Sequence, residues 1–279
     1  MGPIAALFVP LQEAIARKNQ EYGLNARHPW HHRLTVDEVG SLIDVEYKGE
    51  HELWFDDKTT VTILQDVLRL IASAKVAPKI RSFTYRTEAV LAANGTFDYN
   101  IDPLVEAQRR FPNLTRLSLD QGHGEHGYKI LTSPLSGDNW HEAGVLGRLL
   151  GKCSRLEELV TPVPPNVSFF QGRRHRLRSL DVDAGFGHAD FIRHLAGCAR
   201  FPGLRRLKFT DFRQHYLNDW RERMTSFEDY VLFFKSPVAS QLESLCLRGA
   251  NLTRAQVRHL HEMRSEGVEI TCQEVTARR

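Results

Sequence analysis

The sequence predicts an α/β solenoid in which short parallel strands alternate with helices. The first observation is the segment 242–252, Leu-Glu-Ser-Leu-Cys-Leu-Arg-Gly-Ala-Asn-Leu, whose leucine spacing fits neither a helix nor a plainly alternating strand. The second is that related hexapeptides recur upstream, each preceded by an apolar stretch with helical spacing. In the segment 242–252, Leu245 and Leu247 point to one side and Cys246 to the other, so a short strand of this kind has one packed face and one free face.

Six copies of the hexapeptide follow one another in the chain. They begin at Ile80, Leu114, Leu156, Leu177, Leu204 and Leu242. Their separations run from 21 to 42 residues, whereas repeats of this kind usually take roughly 20 to 29. The longer separations therefore indicate insertions within a regular series.

Helical segments are predicted between these strands. Apolar residues recur with helical spacing after Thr60, Asp102, Trp140, Asp190, Thr225 and Thr253. The patterns Thr225–Glu228 and Thr253–Gln256 are capping boxes for the last two helices, and Asp102 is expected to cap its own helix. Three prolines, at positions 162, 164 and 165, exclude a long helix before Leu177. Gly267 is expected to end the last helix in a left-handed conformation, and residues 268–270 then form an edge strand.

The first 45 residues lack the hexapeptide and predict a helical N-terminal cap, followed by an irregular repeat domain over residues 46–279. Leu7, Leu11 and Ile15 share one face of a first helix. A second helix is expected from Thr35, because residues 35–38 form a capping box. A solenoid needs its first repeat covered, which is the role we expect for this segment. Residues 53–55 are predicted to form a first, atypical strand.

These hexapeptides, together with their helical connections, resemble the leucine-rich repeat family over roughly residues 50–272, nearest its ribonuclease-inhibitor-like class. The resemblance implies a right-handed β–α superhelix with the parallel sheet on its concave face. In that family the ninth repeat position is usually Asn or Cys. Here the ninth positions are Gly122, Pro164, Gly185, Phe212 and Ala250, so we expect a less regular arc.

The composition limits the classes of partner and compartment. A formal net charge of +3 with 25% charged residues gives no general reason to expect nucleic acid or an anionic membrane as partner. Four dispersed cysteines without a C-x-x-C pair indicate neither a disulfide framework nor a zinc ribbon. The chain has no apolar run of the roughly 18 residues that a membrane helix requires. We therefore expect a cytoplasmic protein that binds another protein, without a cofactor or metal.

The free face of the predicted sheet provides the first set of candidate binding residues. Its charged members are Arg116, Asp120, Glu158, Asp181, Asp183, Arg206, Lys208 and Arg248, and all of these except Glu158 are candidates. Acidic and basic strands alternate, which fits two hypotheses. Neighbouring strands could satisfy one another's charge, or the pattern could orient a protein partner on the concave surface.

Two insertions provide the second set of candidates. Residues 120–140 and 210–224 both leave the carboxyl end of a predicted strand, so we expect them to project from the same rim. Aromatic residues and arginine are the usual anchors of a protein interface. The candidates are Tyr128, Trp140, Phe212, His215, Tyr216, Trp220 and Arg221. The alternative is that these aromatics pack the insertions onto the scaffold.

Two patterns raise the question of metal chemistry. His123 and His126 flank Glu125, and His31 and His32 follow His28, but neither group has a second ligand pair at an established spacing. The segment 181–183 resembles the D-x-D motif of metal-dependent sugar transferases, although no nucleotide-binding unit accompanies it. A solvent-facing strand explains the same spacing.

The sequence thus favours a non-catalytic protein-binding module, for example an inhibitor or immunity-type protein that captures its partner through the concave sheet and the rim loops. One alternative is a substrate-recruiting adaptor whose residues 1–45 dock a second protein. Another is a metal-dependent enzyme that uses Asp181 and Asp183.

Overall fold

The computed structural model describes residues 2–26, 31–49, 63–88, 100–122, 142–184, 187–211, 219, 221–264 and 266–272. Within these ranges, nine strands form one open sheet whose spatial order follows the order of the chain. The first pair is antiparallel and every later pair is parallel. The strands are β1 Arg33–Val39, β2 Leu42–Lys48, β3 Ile80–Glu88, β4 Arg116–Gly122, β5 Glu158–Thr161, β6 Ser179–Asp183, β7 Arg206–Thr210, β8 Ser244–Ala250 and β9 Val268–Cys272.

Helices connect the strands and cover one face of the sheet. A 3₁₀ turn, Ala5–Phe8, leads into the first helix. The helices of the described ranges are α1 Val9–Glu21, α2 Ile63–Ile71, α3 Asp102–Glu106, α4 Val145–Lys152, α5 Val167–Phe170, α6 Phe191–Ala196, α7 Phe227–Phe234, α8 Pro237–Gln241 and α9 Arg254–Met263. This arrangement confirms an α/β architecture with a mostly parallel sheet. None of these helices has the length and apolarity to cross a membrane.

The leucines of the hexapeptides stack across the sheet. Leu117 pairs with Leu159, and the row continues through Leu180, Leu207 and Leu245. Each of the five is at most 2% exposed. Burying a side chain of this size stabilises the fold by about 1.5–3 kcal/mol, so the row is a main source of the sheet's stability. The predicted strands at the six hexapeptides and the predicted edge strand β9 are confirmed.

The helices bury the apolar stripes that the sequence indicates. Val67 and Leu68 of α2 are fully buried, as are Val145 of α4 and Leu195 of α6. Helices α2, α4, α6 and α9 confirm the predictions made from apolar spacing. The short α5 fits the exclusion of a long helix by the prolines before it.

The prediction of a second N-terminal helix from Thr35 was wrong. Thr35 lies in strand β1, which pairs with β2 as an antiparallel hairpin. Val39 pairs with Leu42, so the turn consists of Gly40 and Ser41, and Gly40 has a φ of 64°. Two-residue hairpin turns favour glycine at their first position because it adopts positive φ without strain. The turn and the alternating apolar residues on both sides outweighed the capping-box pattern.

Three local predictions also need correction. The cap position of α3 is Ile101, not Asp102, which is the first residue of the helix. Helix α7 begins one residue later than predicted, with Ser226 as its cap, and Leu232 is 50% exposed rather than buried. Strand β2 includes residues 45 and 46, and the division into a cap over residues 1–45 and a repeat domain over residues 46–279 stays a prediction. The strand predicted at residues 53–55 lies outside the described residues.

The N-terminal helix is fastened to the hairpin by a buried asparagine. The Asn19 side-chain amide donates to the His32 carbonyl at 2.8 Å, and its carbonyl oxygen accepts the His32 N–H at 3.0 Å. The His32 ring packs inside, with Nδ1 2.8 Å from the Tyr47 hydroxyl. Helix α1 therefore covers the first strands of the sheet rather than standing apart from it.

Candidate functional site

The sheet face opposite the buried leucines carries polar side chains on every strand, and we call it the free face. Strand alternation places these residues, because successive side chains point to opposite sides. The paired strands align them in rows across the sheet. Among the described side chains of β4 to β8, the free face consists of Arg116, Ser118, Glu158, Val160, Ser179, Asp181, Asp183, Arg206, Lys208, Thr210, Ser244, Cys246 and Arg248.

The centre of the free face holds a close ion pair between two neighbouring strands. The Lys208 ammonium lies 2.7 Å from the Asp181 carboxylate, and both side chains are about one-third exposed, at 32% and 30%. Asp181 and Lys208 are register partners on β6 and β7. The pair is therefore built by strand alignment and does not depend on a flexible loop.

Glu158 joins two arginines that lie on different strands. It is 3.7 Å from Arg116 on the preceding strand and 3.2 Å from Arg206, two strands further along. The residue between Glu158 and Arg206 in this row is Ser179, whose short side chain leaves the space for the contact. The three charged side chains are 41–59% exposed, so a docking molecule would meet them directly.

The same pattern continues on the first parallel strands. The register shifts between Ile43 and Asp44, which allows Arg81 to reach the Asp44 carboxylate, with Nε–Oδ1 at 2.9 Å. The Ser82 hydroxyl donates to the same carboxylate at 2.7 Å. The Arg81 hydrogen bond is the main cause that lowers the pKa of Asp44. The first strands thus also carry satisfied charges on the free face.

The ion pairs bear on the two hypotheses for the alternating charges, which are charge satisfaction between strands and orientation of a protein partner. They show the first in the isolated molecule and do not test the second. Neighbouring strands do satisfy one another's charge at Glu158 and at Asp181, as the alternation predicts. Exposed pairs of this kind contribute about 0–1 kcal/mol each. Such a weak contribution leaves the face able to exchange these pairs for contacts with a partner.

Two free-face positions are less accessible than strand alternation implies. Ser118 and Thr210 are each only 4% exposed. Arg248 is half-buried, and its pKa is raised first by a hydrogen bond with the Cys246 sulfur and further by Glu269 and Asp181. The accessibility of the free face therefore differs from one position to the next.

Most of the predicted rim residues fall outside the described ranges. Tyr128, Trp140, Phe212, His215, Tyr216 and Trp220 lie outside the described residues, so their role stays a prediction. Asp120 belongs to strand β4 and pairs with Arg86 of β3 in register, but its side chain is not among those described. Arg221 is described, and it is exposed.

A polar cleft of about 510 Å³ lies at the carboxyl edge of the sheet, beside Arg221. Its lining includes the ion pair between Arg193 of α6 and Asp229 of α7, with Nε–Oδ1 at 2.7 Å. Asp229 is 3% exposed and also accepts a hydrogen bond from the Ser226 hydroxyl at 2.9 Å. Sequence reasoning missed this cleft, although Asp229 three residues after Ser226 is a helix-start pattern.

The wall of the cleft contains unusual backbone. Ala189 and Asp190 have φ values of 44° and 53°, a left-handed conformation that residues other than glycine seldom adopt. His188 Nδ1 accepts the Asp190 N–H at 3.1 Å and stabilises this bend. Burial is the main cause that lowers the pKa of His188, while Asp190 and Asp229 oppose the shift.

Among the described residues, no group of three His, Cys, Asp or Glu side chains is arranged to hold a metal ion. Asp181 and Asp183 do share a face of β6, as the D-x-D spacing predicts. The Asp181 carboxylate forms an ion pair with the Lys208 ammonium. This positive charge opposes the approach of a divalent cation. The histidines at positions 123 and 126 lie outside the described residues.

Comparisons with known proteins give a structural similarity at a low TM-score. No protein-family model matches the chain, and no curated protein matches it. Among solved structures, a Bacteroides fragilis protein from a structural genomics programme is similar, with a TM-score of 0.40 and 13% identity. The alignment covers 86% of this chain and 93% of that one.

Proposed function

We propose that the chain is a leucine-rich-repeat-type arc whose free face binds a partner protein without catalysis. The observation that carries the proposal is a set of ion pairs in two adjacent rows across β4 to β7: Arg116, Glu158 and Arg206 in one row, and Asp181 and Lys208 in the other. A broad sheet face with ordered, alternating charge can steer and orient a partner while excluding surfaces with the wrong pattern. Open solenoid faces commonly serve this purpose.

The packing of the N-terminal segment favours capture of one partner over an adaptor role. An adaptor segment needs a surface available to a second protein. Here Asn19 and His32 bind α1 to the hairpin, and the Gly2 N–H donates to Glu38 at 2.9 Å. The segment is thereby engaged as a cover for the end of the sheet, which supports an inhibitor or immunity-type mode of binding.

A charge exchange on the free face tests the proposal. The double variant Asp181→Lys with Lys208→Asp preserves the ion pair but reverses its direction, so stability should change by less than about 1 kcal/mol. Affinity capture from the native cell, followed by mass spectrometry, should recover the partner with the natural chain. We expect the exchanged variant to lose it, because like charges then face each other across the interface.

The matched control exchanges a pair on the helical side of the molecule. Asp66 and Arg69 form an ion pair at 2.9 Å on α2, with side chains 44% and 58% exposed. The variant Asp66→Arg with Arg69→Asp should capture the partner as well as the natural chain does. Equal recovery with both exchanged variants would place the binding surface away from the free face.

A further inference from the structure

The amino edge of the parallel sheet is far more basic than the molecule as a whole. Four loops enter β4, β5, β6 and β7 at this edge, namely residues 107–115, 152–157, 171–178 and 198–205. Together they contain ten Lys and Arg residues and a single acidic residue, Glu157, although the whole chain has a net charge of only +3. We call this surface the arginine edge.

Hydrogen bonds make the arginine edge one continuous surface. The Phe111 N–H donates to the Lys152 carbonyl at 3.0 Å, which joins the first two loops. His175 of the third loop joins the second and fourth loops. Its ring Nε2 lies 2.9 Å from the Cys153 carbonyl, and its backbone N–H donates to the Arg200 carbonyl at 2.8 Å. The backbones of the loops that carry the basic residues are thus joined to one another.

Some of these basic residues have a structural role. Arg200 donates to the Phe169 carbonyl at 2.7 Å and to the Arg173 carbonyl at 3.1 Å, and Lys152 donates to the Ala107 carbonyl. Arg178 lies 3.9 Å from Glu157. Cations near helix carboxyl ends also satisfy free carbonyl groups. Arg155 donates to Asn113, and Arg205 lies close to Glu243, so five of the ten basic residues have local contacts.

Five exposed arginines have no such explanation. Within the described ranges their side chains make no hydrogen bond or ion pair; these residues are Arg109, Arg110, Arg173, Arg174 and Arg176. The last three follow a helix of only four residues, α5, whose dipole is small. Unpaired like charges at this density repel one another, so an anionic partner would relieve a cost already present in the free protein.

We infer that the arginine edge binds an acidic segment of the partner protein. This inference rests on the proposed function, since Arg116 and Arg206 of the free face begin the strands that these loops enter. Guanidinium groups bind carboxylates through two parallel hydrogen bonds, which suits acidic side chains. The four strands span about 14 Å at a strand spacing of 4.7–4.9 Å, the length of roughly four extended residues.

An acidic protein segment fits the edge better than nucleic acid does. Proteins that bind single strands stack bases on exposed aromatic rings. The two aromatic residues of these loops, Phe111 and Phe201, are each 1% exposed and belong to the core. Glu157 would also repel an uninterrupted phosphate backbone, whereas separate acidic side chains can avoid it.

Fluorescence anisotropy with labelled hexaglutamate tests the inference on the full chain. We expect saturable binding that weakens at least tenfold in Arg174→Glu with Arg176→Glu. Should this variant fail to fold by circular dichroism, Arg109→Glu with Arg110→Glu on the neighbouring loop should give the same loss. The charge-matched control, Arg254→Glu with Arg258→Glu, alters exposed residues of α9 and should change binding less than twofold.

The same titration with a labelled hexathymidylate of similar charge separates the two classes of ligand. Tighter binding of the oligonucleotide would overturn the inference in favour of nucleic acid. Absence of hexaglutamate binding, or an equal loss in the control variant, would also overturn it. Because the assay uses neither the partner nor the free-face variants, its failure would leave the proposed function intact.

Discussion

At the scale of residues, stability depends on which side of a strand a side chain occupies. Leu180 is 1% exposed in the row of stacked leucines, while its neighbour Ser179 faces the other side between Glu158 and Arg206. One residue of displacement thus separates the core from the candidate binding surface. The hexapeptide pattern is sufficient to predict this difference, because strand alternation leaves no other choice.

Truncating the buried member of this pair should cost much more than truncating the exposed one. Leu180→Ala removes a buried side chain and leaves a cavity, so we expect a loss of about 2–5 kcal/mol in the free energy of unfolding. Ser179→Ala should change it by less than about 0.5 kcal/mol. Urea denaturation followed by circular dichroism measures both values, and equal losses would refute the assigned faces.

His32 should make the fold sensitive to acid. Burial, with contributions from Lys18 and His31, lowers the pKa of His32 to about 4, against 6.5 for the exposed residue. The unfolded chain therefore binds a proton between pH 6.5 and 4 while the folded chain does not, so stability is present above this window and falls as the pH is lowered through it. By this linkage, His32 alone removes about 2 kcal/mol between pH 7 and pH 5.

The variant His32→Gln isolates this contribution. It lacks the titrating group, so its free energy of unfolding should fall by about 2 kcal/mol less than that of the natural chain between pH 7 and pH 5. Urea denaturation at the two pH values gives the difference. Parallel pH dependence in the two proteins would contradict a neutral, buried His32.

At the scale of elements, a turn determines whether residues 33–48 form a helix or a hairpin, a choice that the spacing of apolar residues does not settle. The segment from Arg33 to Lys48 contains both a capping-box pattern and a Gly-Ser turn between alternating apolar residues. The hairpin formed because the turn permits many cross-strand contacts and a buried face, whereas a capping box adds only a local contribution. The predicted helices with long apolar stripes did form, since their pattern is repeated over two or more turns.

Glycine substitutions at two left-handed positions should differ according to their surroundings. Gly23 and Gly267 have φ values of 64° and 67°. An added Cβ at Gly23 would meet nothing within 4 Å, whereas at Gly267 it would lie 2.3 Å from the Glu243 carbonyl oxygen. We expect Gly23→Ala to cost about 1–2 kcal/mol from the backbone alone, and Gly267→Ala to cost roughly 1–3 kcal/mol more.

Thermal unfolding monitored by circular dichroism compares the two variants under the same conditions. The larger loss of stability at Gly267 follows from its position between the end of α9 and the start of β9, where it lies against the backbone of Glu243. Similar melting temperatures for the two variants would contradict the close approach at the entry to β9.

At the scale of the whole molecule, the sequence predicts the sheet better than it predicts the surfaces. The order of the strands and the register of Leu117, Leu159, Leu180, Leu207 and Leu245 follow from a repeated local pattern. The cleft around Asp229 and the arginine edge depend instead on loops from several repeats coming together. Residues such as Arg193 and Arg174 have no sequence signal of their own, because their significance arises from neighbours distant in the chain.

The most direct test of the account is the reactivity of Cys246 with and without the partner. Cys246 lies on the free face and is half-buried, whereas Cys153 and Cys198 are buried and Cys272 is exposed. Burial also raises the pKa of the Cys153 thiol to about 12, which keeps it unreactive at neutral pH. In a Cys272→Ser variant, a thiol reagent should modify Cys246 selectively. The account predicts that the captured partner slows this reaction at least tenfold, and an unchanged rate in the complex would contradict binding at the free face.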